Sequence, residues 1–333
     1  MTEELHIIPL DLRYTLDREQ LHAFLRKNEL KLEDDIQAAF GAVDLQGRLW
    51  ACGCAAGGLL KCFAVAPELR GQNILGLLIS RLVQNRFAAG YYDLFIVSRA
   101  KNRALFSNCG FVPLAETQDL VLLENCTDGP EAFTQQMFVP GDEKRVIGAL
   151  VMNCNPFTLG HQALVEYAAG QCDAVHVFVL EEERSLFSSQ TRFQLVCEGT
   201  AHLSNVRVHF GGPYMISSST FPTYFLKEGE EAARLQSELD VTLFASRIAP
   251  SLHITRRFAG EEPLDPTTAI YNQTMARLLP QYGVQFIQIP RRKQGETVIS
   301  ASRVRQLLEE KGVCDEVLAL VPETTGRYLK EHF

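Results

Sequence analysis

None of the nine cysteines in this 333-residue chain forms a C-x-x-C pair, so the spacing that builds a zinc site is missing. The count is odd, and only Cys52 and Cys54 stand close together, with one glycine between them. Cys62, Cys172 and Cys197 lie in apolar runs, where a reduced core thiol is expected. Basic residues are outnumbered, 32 Lys and Arg against 40 Asp and Glu, for a net charge of −8. An acidic chain with scattered cations lacks the footprint of a nucleic-acid binder. No apolar run approaches the ~20 residues of a membrane span. Met1-Thr2-Glu3-Glu4 has neither the basic nor the apolar region of a signal peptide. Internal repeats and low-complexity tracts are lacking too. Together these absences lead us to expect a reducing cytoplasm, with neither nucleic acid nor membrane as partner.

What is present is an ordinary globular composition, 46% hydrophobic and 22% charged, long enough for about two domains. Two turn clusters mark a boundary, Cys126-Thr127-Asp128-Gly129-Pro130 and Pro140-Gly141-Asp142-Glu143-Lys144. They set the expected division: a domain over 1–125, a linker over 126–144 and a second domain over 145–333. In the first, 49–55 and 59–65 read as a hairpin around Gly57-Gly58. A helix is expected over 74–89, with Leu75, Leu78 and Leu82 on one face. A short strand over 94–97 and a helix over 102–108 follow. In the second, apolar runs alternate with helical stretches. Strands are expected over 146–152, 174–180, 206–210, 241–244, 257–259 and 284–289, with helices over 159–169 and 190–202 among the intervening segments. This alternation predicts a parallel sheet covered by helices on both faces. Its ligands belong at the carboxyl ends of the strands, near a switch in strand order.

The first strand of that sheet runs into Asn153-Cys154-Asn155-Pro156-Phe157-Thr158-Leu159-Gly160-His161. A loop that opens a helix presents unpaired N–H groups and a positive partial charge, which suits phosphate. Gly160 removes a side chain where backbone must approach a triphosphate. His161 can aim a ring N–H, and Thr158 a hydroxyl, at phosphate oxygens. The glycines and lysine of a Walker A loop are missing, and so is a dinucleotide fingerprint. Near the other end stands Ile299-Ser300-Ala301-Ser302-Arg303-Val304-Arg305, ahead of an apolar-periodic helix. Serines that start a helix are good caps; their hydroxyls also suit a β- or γ-phosphate, with Arg305 as a fork. Ser302 and Arg305 are three apart and share a helical face. No Ser-His-Asp or Cys-His arrangement points to a covalent enzyme intermediate.

Thr158-Leu159-Gly160-His161 resembles the T/H-x-G-H signature of the nucleotidyltransferase superfamily, and 299–305 resembles the I-S-S-T-x-x-R motif of its adenylyltransferases. Further stretches narrow the likeness: 151–161, Gly211-Gly212-Pro213-Tyr214-Met215-Ile216-Ser217, Thr220-Phe221-Pro222, Tyr224-Phe225-Leu226-Lys227, Ile248-Ala249-Pro250, 256–263 and Tyr271-Asn272. With these, the chain resembles the citrate lyase ligase family. The first domain, through 65–74 and 105–111, resembles the GNAT acetyltransferases. The fold class implied is α/β: a Rossmann-like nucleotidyltransferase domain with a parallel sheet, preceded by an α+β GNAT-like domain.

The function implied is activation of acetate by ATP with Mg²⁺, then acetylation of a phosphopantetheine-type thiol on the acyl carrier subunit of the citrate lyase complex, releasing AMP and pyrophosphate. Catalytic roles fall to His161 and Thr158, and phosphate binding to Asn153, Asn155, Pro156, Phe157, Gly160, Ser300, Ser302 and Arg305. Arg256, Arg257, Gly260 and Glu261 are candidates for nucleotide or acetate. The alternative is that the arginines are surface or ion-pair residues and that Glu261 and Glu262 are helix-start carboxylates. Arg70, Gly71, Gln72 and Asn73 are candidates for a CoA or pantetheine loop, although Asn73 and Leu75 stand where GNAT loops have glycine. Docking or pantetheine binding is therefore expected of that domain ahead of acetyl-CoA catalysis. No metal ligands are assigned, since Mg²⁺ would sit on phosphate oxygens and water. Two rivals stand beside this reading: an adenylyltransferase of the pantetheine-phosphate or nicotinate-mononucleotide type, and a GNAT acetyltransferase with a regulatory nucleotide-binding domain.

Overall fold

The computed structural model describes residues 5–181, 185–215, 221–226, 229–261, 265–291, 293–294 and 297–333. The chain divides into two compact units, Met1–Gly129 with Thr220–Leu235, and Pro130–Ser219 with Gln236–Phe333. The stretch 126–144, expected as a linker, contains a helix, α4 (Gly129–Gln135), and a 3₁₀ turn at Asp142–Lys144.

The first unit is a seven-stranded mixed sheet. Its strands are β1 (His6–Pro9), β2 (Ala38–Val43), β3 (Leu49–Ala56), β4 (Leu59–Val65), β5 (Phe95–Arg99), β6 (Val112–Glu116) and β7 (Leu120–Glu124), in the order β1-β2-β3-β4-β5-β7-β6. Side chains alternate across it, so each face needs its own cover. Helix α1 (Thr15–Lys27) covers one face: Leu21 and Leu25 pack with Cys52, Cys54 and Cys62. Helix α2 (Ile74–Ala88) covers the other: Ile79 and Leu82 pack with Ala55, Leu60 and Ile96. A short helix, α3 (Arg103–Ser107), adds Phe106 to that second core. Strands β4 and β5 are parallel but pair only at Leu59–Phe95 and Leu60–Ile96. The segment from later in the chain joins this unit through Tyr224, which is buried in the α1-side core, and through Thr223, whose N–H and Oγ1 both donate to Glu33 at 2.9 Å.

The second unit is the one that positions the site. Its sheet contains β8 (Ile147–Met152), β9 (Ala174–Val179), β10 (Val206–Phe210), β11 (Ile254–Gly260) and β12 (Gln285–Ile289), in the order β10-β9-β8-β11-β12. Every pairing is parallel. Strands of such a sheet are apolar on both faces, and all six residues of β9 are buried. From β8 the chain winds outward through β9 and β10, then returns to the opposite side of β8 as β11. The switch in strand order therefore lies between β8 and β11, where a crevice opens at the carboxyl ends. The helices are α5 (Leu159–Ala169), α6 (Ser189–Thr200), the part of α7 (Glu230–Leu243) from Gln236 onward, α8 (Ala249–Ser251), α9 (Pro266–Leu278), α10 (Ala301–Lys311), α11 (Asp315–Leu318) and α12 (Glu323–His332).

One expected strand is absent. Residues 241–244 close α7 and enter a π-helical stretch, Phe244–Ile248. Three apolar residues around Thr242 do not distinguish a strand from a buried helix segment. The buried set Leu235, Leu239 and Leu243 recurs every four residues and decides for the helix.

Two adjacent strands carry a histidine pair, His176 buried and His209 half-buried. His176 Nδ1 lies 2.9 Å from His209 Nε2, and His176 is fully buried. Burial, then Arg207, draws His209 down to about 4. Burial, then His209 and Arg207, draws His176 down further still. The unfolded chain takes protons near 6.5 and the folded chain only near 4, so acidification between these values favours unfolding. The second unit should therefore lose stability as pH falls from about 6.5 to about 4, by up to about 1.4 kcal/mol per pH unit for each histidine. Calorimetry is the suitable probe, because the single tryptophan, Trp50, lies in the first unit. Unchanged or rising stability over that range would contradict the assignment.

Candidate active site

Strand β8 ends at Met152, and the loop that follows is held from below by a buried arginine. Arg192 on α6 is fully buried. Its Nη1 donates to the Asn153 carbonyl at 2.7 Å, to Asn153 Oδ1 at 2.6 Å and to the Leu180 carbonyl at 2.6 Å, and its Nε donates to the Phe187 carbonyl at 3.1 Å. Asn155 Oδ1 accepts the Phe187 N–H at 3.2 Å. The Asn155–Pro156 peptide is cis. Phe157 then turns into the core, where Gly199 of α6 lies against its ring; a Cβ there would come within 2.5 Å of it.

Thr158 begins α5 with a reciprocal cap. Its Oγ1 accepts the His161 N–H at 3.4 Å, and its own N–H donates to His161 Nδ1 at 3.1 Å. A backbone N–H can only donate, so Nδ1 must be the unprotonated nitrogen. The proton of the neutral ring is then on Nε2. Burial first, and Arg291 second, push His161 down to about 4. Near neutral pH His161 is thus an uncharged ring with one fixed N–H donor.

The second motif closes over the first. Ser300 caps α10 by accepting the Arg303 N–H at 3.1 Å. Arg305 Nη1 donates to the Asn155 carbonyl at 2.5 Å, and its Nη2 donates to Ser302 Oγ at 3.3 Å. The Ile299 carbonyl lies so close to Gly160 that a Cβ there would approach it to 3.3 Å. Gly160 thus lets the start of α10 pack on the start of α5, a role its sequence context does not reveal. The Leu159 N–H is taken by the Leu320 carbonyl at 3.0 Å.

Together these elements wall a cavity of about 950 Å³ at the switch between β8 and β11. Asn153, Asn155, Thr158, Gly160, His161, Ser300, Ser302 and Arg305 all line it, as do Arg257 and Gly260. Four other expected residues do not. Phe157 is in the core and Pro156 is buried beside it. Arg256 points from the opposite face of β11 to Arg257, and its Nη1 donates to the Gln171 carbonyl at 2.5 Å. Glu261 is exposed and contributes backbone: its N–H donates to the Ile289 carbonyl at 2.8 Å, and its carbonyl accepts Arg291 Nε at 2.7 Å. Glu262 lies outside the described residues, as do Ile216, Ser217, Thr220, Lys227 and Pro263 of the quoted stretches.

Arg70, Gly71, Gln72 and Asn73 belong to the first unit, where they lead into α2. Asn73 takes φ +58°, the left-handed conformation that favours glycine. Arg70 Nε donates to the Val65 carbonyl at 3.4 Å and Gln72 Nε2 to the Glu68 carbonyl at 3.3 Å.

Three features were not singled out from sequence: Arg192, Arg291 and the Asp240–Tyr271 pair. The signal for Arg192 was available. It falls on the buried stripe of α6 with Leu195, Val196 and Gly199, where a charge needs a reason. Among the described residues no group of three or more His, Cys, Asp or Glu could hold a metal. Cys154 lines the cavity, but burial pushes its thiol far above neutrality, so it is no nucleophile. No helix among the described residues is long and apolar enough to cross a membrane.

A parallel α/β sheet, a capped T-x-G-H helix start and an opposing Ser/Arg helix start define a nucleotide-binding domain of the nucleotidyltransferase type. Residues 147–329 match the model of the citrate lyase ligase C-terminal domain. The chain is 41% identical over 319 residues to the citrate (pro-3S)-lyase ligase of Klebsiella pneumoniae, covering 94% of this chain and 93% of that one. It is 36% identical over 317 residues to that of Escherichia coli K12, covering 93% and 90%. This protein belongs to the citrate lyase ligase family. A GNAT-family acetyltransferase structure from Staphylococcus aureus is similar over 36% of this chain and 98% of its own, at 15% identity and a TM-score of 0.30.

Two outcomes follow from the geometry. Nitrogen-resolved NMR of the ligand-free protein should find His161 in the Nε2–H tautomer from pH 8 to pH 5; an Nδ1–H tautomer, or titration near 6.5, would contradict the cap. Gly160→Ala should fold and yet bind ATP roughly tenfold more weakly, about 1.4 kcal/mol, because the start of α10 must shift. Calorimetric titration that finds wild-type affinity would show that the approach of Ile299 is not needed.

Proposed function

We propose that this chain activates acetate with ATP and passes the acetyl group to a phosphopantetheine-type thiol on the acyl carrier subunit of citrate lyase. The observation that carries the reading is the single cavity on which Thr158, Gly160 and His161 converge with Ser300, Ser302 and Arg305, in a chain aligned over nearly its whole length with ligases of that name.

The phosphates lie between the two helix starts. His161 donates from Nε2 to an α-phosphoryl oxygen, and the Thr158 hydroxyl steadies the same group. Ser302 and Arg305 hold the β- and γ-phosphates, with Ser300 beside them. Mg²⁺ would come with the nucleotide, with no ligand assigned to it among the described residues, and would offset phosphate charge. A carboxylate oxygen of acetate attacks the α-phosphorus; the new O–P bond forms as the bond to the β-phosphate oxygen breaks, and pyrophosphate leaves. In the second step the carrier thiolate attacks the acetyl carbonyl carbon. The S–C bond forms, the C–O bond to the phosphate breaks, AMP departs with both electrons, and the thiol proton goes to solvent. Charge builds on phosphoryl oxygens in the first step, so fixed donors there lower the barrier without rearranging. A neutral histidine suits that task, because its Nε2–H gives a hydrogen bond and is too weak an acid to pass its proton to the carboxylate. In the first unit, Arg70, Gly71, Gln72 and Asn73 are proposed to meet the pantetheine arm or its carrier.

Exchange of labelled pyrophosphate into ATP should require acetate and should not be supported by pantetheine phosphate. His161→Ala should reduce that exchange about a hundred- to thousandfold while the chain still folds, its melting temperature lowered only by the lost half of the helix cap. Exchange driven by pantetheine phosphate in the absence of acetate would replace this reading with the small-molecule adenylyltransferase.

A further inference from the structure

The cavity extends beyond the residues assigned to the phosphates, to the face of β11 that carries Arg257. Among the described residues, three arginines line it. Arg305 is turned onto Asn155 and Ser302, and Arg291 onto the Glu261 carbonyl. Arg257 is different. Arg257 is 3% exposed, and among the described residues its Nη1 is buried without a hydrogen-bond partner. Its guanidinium carbon lies 4.6 Å above the Phe244 ring. On its other edge it meets the Tyr271 hydroxyl, which in turn donates to Asp240. A buried, charged N–H with nothing to receive it is costly, and a fold keeps one where a ligand completes it. Phe244 opens the π-helical stretch that interrupts the helix from α7 to α8; such insertions are frequent at functional sites. Asp240, Arg257, Tyr271, Asn272 and Met275 all line this part of the cavity.

We infer that Arg257 is the binding residue for the carboxylate of the acid substrate. One carboxylate oxygen accepts from Nη1, and the other is left to attack the α-phosphorus. Phe244 below and Tyr271 beside it fix the plane of the guanidinium, as recognition of a planar anion requires. Asp240, which accepts from the Tyr271 hydroxyl, holds that side of the site in place.

This inference rests on the acid-activation reading above, and one experiment separates the two. Acetate-dependent exchange of pyrophosphate into ATP is measured for the wild type, Arg257→Lys and Arg257→Gln, with ATP affinity taken independently by calorimetry. The Gln variant should raise the KM for acetate at least thirtyfold, and the Lys variant, which keeps the cation over Phe244, at least tenfold. In both, the ATP Kd should stay within threefold of wild type. Wild-type protein that shows no acetate-dependent exchange overturns the functional reading. Wild-type exchange with an unchanged acetate KM in the Lys variant overturns the Arg257 assignment alone. So does a Lys variant whose ATP and acetate constants rise together, since that marks a structural arginine.

Discussion

The site depends on one local constraint, the reciprocal cap between Thr158 and His161. Two hydrogen bonds within a single helical turn fix where α5 begins, which ring nitrogen of His161 accepts, and so which one carries the proton. The same turn leaves Gly160 bare, so the backbone of Ile299 can lie against it. The second helix start is thereby brought onto the first, and Arg305 spans the junction to the Asn155 carbonyl. Loss of the cap would free the His161 ring, which lines the proposed nucleotide cavity.

That cap works only because the loop before it is held rigidly. Arg192 receives four acceptors from the end of β8, the end of β9 and the approach to α6. A buried guanidinium is expensive unless its donors are satisfied, and here the expense goes into placing a loop. Phe157 packed on Gly199 pins the same loop from the core side. Burial also keeps His161 neutral, which matches a role in steadying developing charge and not in shuttling protons.

Much of this was legible in the sequence. The strand–loop–helix reading of 146–169, the helix over 190–202 and the pairing of the two motifs correspond to the elements observed, because apolar periodicity and helix caps are local signals. The run 241–244 has no period of its own, since Val241, Leu243 and Phe244 around Thr242 fit a strand and a buried helix equally. Sequence could not choose between Arg256 and Arg257, which differ only in the face of β11 they occupy. Nor could it foresee that Thr220–Leu235 belongs with the first unit, since Tyr224 meets Cys62 and Leu25 only in three dimensions. Long-range placement of this kind leaves no mark on neighbouring residues.

In the proposed reaction a carboxylate, and not a thiol or a phosphate, attacks the α-phosphorus. The most direct measurement uses acetate labelled with ¹⁸O in both oxygens, together with ATP, Mg²⁺ and the deacetylated lyase, followed by mass spectrometry of the AMP formed. Attack by the carboxylate followed by thiolysis at carbon leaves one acetate oxygen on phosphorus, so each AMP should carry a single ¹⁸O. AMP free of label would contradict an acetyl-adenylate and the assignment of the cavity built on it.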